Sequence, residues 1–564
     1  MAVQTEPTTN GDVVVVGKKG EIGITLEETK DESELQPGNE NTEITIVEKP
    51  AYEIDGDGNI RQEALAPKSK EADIEELDVI IVGAGISGIN MGYRTQTMLK
   101  NKSFTILERR GRIGGTWDLM KYPGIRSDSD LYTFGFAWRP WKYAQPIAKG
   151  ELIQQYMIEC AQETGLDSHI RFHHRLVSAA WRSREQRWTL TTEITAPNTA
   201  AITKTFRTQF LVLGTGYYDH DKPLATVIPG LESFKGIIAH PQFWPQDLNY
   251  ANKNIAVIGS GATAVTLTPA LAETAAHVTM VQRSPSYIVS LPNRGTAKPW
   301  WIRIWPIEWQ RQIVRWRYLF MGFVYRRFLS KDSDTTKKFL ARITQAQLPE
   351  HIPYDPHFKP KYAPWAQRMC LTPNGDFFKG LRDKKVSMCT GAIESVVEDG
   401  IVMQDGTKID ADIIVTATGL HMKYGGNCHF DIDGEEFRFG EKYLWRGIMV
   451  QDMPNAALVL GYTKASWTLG ADATASLVVR MIKHLDRNGL DSATPRMAKK
   501  DVVRITSAPG VMGLTSTYIL RALHRLPKTS DQKPWKARGN YLEDNWDAQY
   551  GSLTTGMQFT KSVT

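Results

Sequence analysis

Two glycine-rich turns constrain what this chain can fold into. GAGISG at 83–88 follows the apolar run Leu77 to Val82 and opens a helical-looking stretch through Leu99. GSGATAV at 259–265 follows the apolar run Asn254 to Ile258. A strand, a tight turn and a helix N-terminus are the parts of a dinucleotide-binding unit. The glycines admit a pyrophosphate to the backbone N–H groups, and the helix N-terminus supplies partial positive charge. The expected fold is α/β, with two dinucleotide-binding domains.

The two turns lead to opposite charges where a ribose would sit. After the first turn (Gly83, Gly85, Ser87 and Gly88), the strand Phe104 to Leu107 ends in Glu108, 20 residues past Gly88. A carboxylate there accepts hydrogen bonds from a ribose diol and repels a 2′-phosphate, so this site reads as FAD or NAD. The second turn comprises Gly259, Ser260, Gly261, Ala262, Thr263, Ala264 and Val265, with alanine in the third glycine position. Nineteen residues past Ala264, after the strand Val278 to Val281, stand Arg283 and Ser284. A guanidinium can hold a 2′-phosphate bidentately, so the second site reads as NADPH.

Between the turns lies FKGIIAHPQFWP, with an F-x-G-x-x-x-H-x-x-x-W-P spacing over Phe234, Gly236, His240, Trp244 and Pro245. By chance it should occur in roughly one chain in ten thousand, against roughly one in three for a lone G-x-G-x-x-G, so it is the specific signal. A buried-looking cluster in a linker suggests a hinge held against both domains. His240 reads as a packing or hydrogen-bonding histidine rather than a proton carrier.

With these motifs the chain resembles the type I Baeyer-Villiger monooxygenases, from about Leu77 to Tyr541. GGTWDLMKYPGIRSDSDLYTFGF, HPQFWPQDL, VIGSGATAVTL, QRSPSYIVS, QRMCLTPNGDFF and GYTKASWTL are most similar to the ethionamide-activating branch. The resemblance implies that Thr116, Trp117, Asp118 and Leu119 line FAD, with Leu176 beside its adenine. It places Arg126, Ser127 and Asp128 at the junction of flavin and nicotinamide, and makes Arg368 the catalytic cation, with Asp128 fixing its position. Many members carry Lys before that arginine. Here Gln367 stands instead, which puts more weight on Arg283. The bland reading of Asp128 and Asp130 is helix N-capping.

The implied activity uses NADPH, FAD and O₂ to insert one oxygen next to a ketone carbonyl, giving an ester or lactone. Two rivals remain: a sulfide- or amine-oxygenating flavin monooxygenase, and a non-catalytic FAD-binding scaffold. The His240 to Pro245 end of the fingerprint argues against the first. The basic groups Arg283 and Arg368 argue against the second.

The expected organisation is an acidic, disordered extension at 1–73, the first part of the FAD domain at 74–217, and linker plus NADPH domain at 218–290. A helical insert follows at 291–365, then the second part of the NADPH domain at 366–389, the second part of the FAD domain at 390–541, and a loose tail at 542–564. Ile170 to Trp181 reads as one alternating strand. DIIVTATG at 412–419 reads as the return to the FAD domain. Leu469, Ala473, Leu477, Met481 and Leu485 recur as the buried face of a helix. The insert's Trp300, Trp301, Trp305, Trp309, Trp316, Phe320 and Phe323 are read as core, with interfacial docking as the alternative.

Charge is uneven: residues 1–76 hold 19 acidic and 7 basic side chains, so the formal +6 of the chain divides into −12 and +18. Lys and Arg are spread along the body, which suits phosphate-bearing cofactors better than nucleic acid. Four cysteines form no C-x-x-C and no metal-ligand spacing, as expected in a reducing compartment. Met1 to Asn10 lacks the apolar segment of a secretory leader, and the longest apolar run, Tyr318 to Tyr325, is far short of the ~20 residues of a membrane span. The expectation is a cytoplasmic enzyme acting on a small ketone or thioether, with no nucleic-acid partner and no transmembrane segment.

Overall fold

The computed structural model describes residues 5–7, 13–15, 53–54, 60–61, 74–195, 200–295, 299–329, 334–364, 366–463, 465–498 and 513–562. The chain divides into two units, Met1–Lys70 and Glu71–Thr564. In the first, Thr5–Pro7 pairs antiparallel with Val13–Val15, and Glu53–Ile54 with Ile60–Arg61. The expectation of disorder at 1–73 otherwise falls outside the described residues.

The second unit is built on two sheets. Inside the larger lies Glu75–Val82, whose last four residues are buried because both faces are covered. It pairs parallel with Phe104–Leu107 on one side and Ile202–Leu213 on the other. Val82 is in register with both Leu107 and Leu213, so Gly83, Glu108 and Gly214 emerge together at the carboxyl edge. The stretch expected as one strand over 170–181 is two, Ile170–Arg171 and His174–Arg182, broken at His173, which has φ +62°.

The second sheet is five-stranded and parallel, in the order Ile237–Ala239, Ile413–Thr416, Asn254–Ile258, His277–Gln282, Val386–Thr390. Two expectations are corrected here. The fingerprint is not wholly a linker, since Ile237–Ala239 is an edge strand of this sheet. The strand within DIIVTATG also belongs to this sheet rather than the first. Phe210 to Gly216 and Asp412 to Gly419 are both apolar strands entering small-residue turns, and that pattern does not say which sheet receives them.

The helix Trp467–Asn488 ends at Gly489 in the left-handed conformation and buries Leu469, Ala473, Leu477, Met481 and Leu485. The tail is not loose. Tyr541–Tyr550 is a helix capped by the Asn540 side chain, and Met557–Thr560 pairs with Ser492–Pro495. The aromatics of the insert are corrected too: Trp300, Trp301, Trp305, Trp309, Trp316 and Phe320 are all exposed.

Candidate active site

The carboxyl edges of both sheets open onto one cavity of about 750 Å³. At the first turn the backbone leaves no room for side chains. A Cβ on Gly83 would lie 2.7 Å from the Gly214 carbonyl oxygen, and one on Gly88 would lie 1.8 Å from that of Gly83. Gly88 therefore closes the turn from behind while Gly83, Gly85 and Ser87 line the cavity. Gly85 N-caps the helix Ile86–Met98 and no side chain caps it, which leaves the first-turn N–H groups for an anion.

Glu108 lines the same end and is 4% exposed. Its Oε2 accepts from the Ala84 N–H at 2.7 Å and its Oε1 from the Arg110 N–H at 2.8 Å. Burial raises its pKa, against the pull of those two amides. Each oxygen keeps a second lone pair for a ribose hydroxyl. Leu176 lines the cavity as well.

Thr116 and Trp117 stand on the wall, but Asp118 and Leu119 do not. Asp118 is buried, accepting from Arg110 Nε at 2.6 Å and from Gln154 Nε2 at 2.9 Å. Its place is to hold the 114–120 loop.

Arg126 bridges antiparallel to Lys149, and the side chains that follow it face different ways. Arg126 and Asp128 line the cavity, while Ser127 turns inward, 2% exposed. Its N–H donates to the Ala148 carbonyl at 3.0 Å and its Oγ accepts from the Ala148 N–H at 3.3 Å. Arg126 forms a bidentate ion pair with Asp376, the first residue of the helix Asp376–Arg382 beside the second sheet. Asp128 accepts from Arg368 Nη2 at 2.8 Å. Asp130 is the capping residue, accepting from the Thr133 N–H at 2.8 Å.

Arg368 and Asp128 are each about one-third exposed, so the pair adds at most about 1 kcal/mol to stability. Its consequence is orientation. Burial disfavours the Arg368 charge, but Asp128 together with the oxygens of Tyr217, Tyr218 and Tyr518 outweighs it and holds the pKa above the ordinary value. Around it stand Tyr217, Tyr218 and Tyr518, whose phenol pKa values burial pushes up, so they remain neutral. Tyr217 hydrogen-bonds Tyr218 at 2.5 Å and stacks on Trp467, whose Nε1 donates to Ser87 Oγ at 2.9 Å.

At the second turn, Gly259 has φ +142°, and a Cβ there would lie 2.2 Å from the Ala417 carbonyl oxygen. Gly259, Ser260, Gly261, Ala262 and Thr263 line the cavity; Ala264 and Val265 are buried behind it. Gly261 N-caps Ala262–Leu271, again without a side-chain cap. Arg283 and Ser284 line the exposed end, where Arg283 Nη2 donates to Thr517 Oγ1 at 3.3 Å. One helical turn beyond Thr517, Arg521 also lines the cavity. His240 is on the wall, its Nδ1 accepting from the Gln242 N–H at 3.2 Å, and burial lowers its pKa.

Sequence reasoning missed Tyr217, Tyr218, Trp467, Tyr518 and Arg521. For the first two a signal existed, since YY follows directly on the Gly214-Thr215-Gly216 turn at a strand end.

Residues 77–304 match the flavin-binding monooxygenase-like family. The chain is 43% identical to the FAD-containing monooxygenase EthA of Mycobacterium tuberculosis over 490 residues, 86% of this chain and 98% of EthA. It is 39% identical to the probable FAD-binding monooxygenase AlmA of Acinetobacter baylyi, over 83% of this chain and 93% of AlmA. Among solved structures, steroid monooxygenase bound to NADP and cyclohexanone-bound cyclohexanone monooxygenase each superpose with a TM-score of 0.65 at 19% identity, over 86% of this chain and 100% of theirs. With that identity across nearly the whole of EthA, the chain belongs to the flavin-dependent monooxygenases, in the branch of EthA.

Proposed function

We propose that the chain binds FAD at the Gly83 turn and NADPH at the Gly259 turn, and inserts one atom of O₂ next to a ketone carbonyl to give an ester or lactone. The observation that carries this reading is the Arg368–Asp128 pair on the wall of the cavity shared by both turns. In this reading the first sheet's surroundings form the FAD domain and the second sheet's the NADPH domain.

The residues present fit both cofactors. Each turn has at least one glycine whose Cβ would strike backbone, an uncapped helix N-terminus, and a ribose-end residue of the matching charge in Glu108 or Arg283. That relatives such as EthA are FAD-containing monooxygenases supports the first assignment, and a neighbour bound to NADP supports the second. When bound, FAD reduced by NADPH supplies the electrons that activate O₂. Arg368 holds a permanent positive charge where negative charge develops as oxygen is transferred, and Asp128 keeps its guanidinium aimed. Tyr217, Tyr218 and Tyr518 stay protonated and exclude bulk water from its other side.

The test is a panel of linear and cyclic ketones with a thioether control, supplied with NADPH and air and read by mass. Esters or lactones one oxygen heavier than the ketones are expected. Sulfoxide as the only product would replace this reading with heteroatom oxygenation.

A further inference from the structure

Half of the exposed large apolar side chains among the described residues, 13 of 26, fall within residues 300–339. The densest part is the helix Ile307–Leu329 and the short helix Trp300–Arg303 before it. Trp309, Trp316, Phe320 and Val324, spaced seven, four and four apart, share one face and are 50–69% exposed. Trp300 and Ile304 are 77% and 74% exposed beside them.

The opposite face fixes this orientation. Val314, Arg315 and Leu319 are buried. Arg315 Nη1 donates to the carbonyls of Tyr132, Thr133 and Gly135 at 3.1, 3.1 and 2.7 Å, and its Nη2 lies 3.5 Å from the buried Asp472. Gln312 Nε2 donates to the Ala137 carbonyl at 2.7 Å. The helix is riveted along one side, so it cannot rotate its aromatics inward.

Contiguous exposed apolar surface of this kind marks an interaction site, and its chemistry selects the partner. Residues 299–329 contain six arginines and one acid, Glu308, with no Lys or Asp. Arg303 and Arg317 are exposed among the tryptophans. Tryptophan with arginine on a helix lying flat suits the headgroup layer of an anionic bilayer, where indoles sit at the boundary and guanidinium groups meet phosphate. No helix among the described residues is long and apolar enough to cross a membrane. We infer that the Trp300–Leu329 face docks the enzyme on the surface of an anionic lipid bilayer, with the Ile307–Leu329 helix in the interfacial plane.

The test floats the full-length FAD-loaded enzyme through a density gradient with vesicles of phosphatidylcholine alone, or of phosphatidylcholine with phosphatidylglycerol. The enzyme should rise with the anionic vesicles, shift its tryptophan emission to the blue, and bind less as salt is added. A triple variant, Trp309→Ser, Trp316→Ser and Phe320→Ser, should stay at the bottom while keeping its flavin and its NADPH oxidation. Arg317→Gln, at an exposed side chain, should bind about fivefold more weakly. Failure of the wild type to float with anionic vesicles overturns the inference. So does flotation of the triple variant or of Arg317→Gln at wild-type strength, or a triple variant whose only change is a smaller assembly, which would give the face to a second copy of the chain.

Discussion

Arg368 donates from Nη2 to Asp128 Oδ1 at 2.8 Å, joining a residue before the Cys370–Pro373 strand to one 240 positions earlier, just ahead of the short helix Leu131–Phe134. Removing one preorganised stabilising group commonly costs about 10²–10³ in rate. Arg368→Ala should therefore keep its flavin and lose nearly all ester formation, with electrons from NADPH appearing as hydrogen peroxide. Asp128→Ala should weaken the same step, and the double variant should be little worse than the worse single one, because the two act as a unit. Product yield and peroxide per NADPH consumed are the readouts. Ester at near wild-type rate from Arg368→Ala would remove this arginine from the mechanism.

Arg283 and Arg521 both line the cavity, and Arg283 donates to the hydroxyl of Thr517, one helical turn before Arg521. Losing a charge-assisted contact costs about 1.5–3 kcal/mol, so Arg283→Ala should raise the NADPH KM about ten- to a hundredfold and leave the NADH value nearly unchanged. Arg521→Ala should act in the same direction and more weakly. Equal effects on both cofactors would show that neither arginine reads the 2′-phosphate.

Two glycines separate folding from ligand approach. An added Cβ on Gly88 would sit 1.8 Å from the Gly83 carbonyl oxygen, so Gly88→Ala should yield protein with little or no bound flavin. At Gly261 an added Cβ meets no protein atom within 4 Å. Gly261→Ala should therefore fold and keep flavin while its NADPH KM rises about tenfold, through the methyl group alone. Absorbance per chain and steady-state kinetics distinguish the two effects.

Deletion of residues 1–70 should leave flavin content and NADPH oxidation intact. The segment is acidic and poor in apolar residues, and every residue lining the cavity lies between 82 and 521. A truncated protein without flavin would show the body to be incomplete without it.

The positions of the glycine turns, Glu108 and Arg283 were legible because each rests on a short spacing, whereas the meeting of Arg368 with Asp128, 240 positions apart, was implied only by the family resemblance. Sheet membership was not legible. The strands Phe210 to Leu213 and Ile413–Thr416 read alike, and only pairing with Glu75–Val82 or with Asn254–Ile258 separates them. The ordered C-terminal region was missed because Met557–Thr560 finds its partner at Ser492–Pro495, more than 60 residues away, and shows no periodicity of its own. The exposed aromatics of the insert were misjudged because tryptophan is read by its apolar bulk, while its surroundings decide whether it is covered.

The ion pair of Arg126 with Asp376 lies two positions along the chain from that of Asp128 with Arg368, and the signs are crossed. One segment presents a cation and then an anion; the other, over 368–376, answers with an anion and a cation. Any slippage that set Arg126 against Arg368, or Asp128 against Asp376, would oppose like charges. The two segments thus have a keyed fit, in which this seating satisfies all four groups.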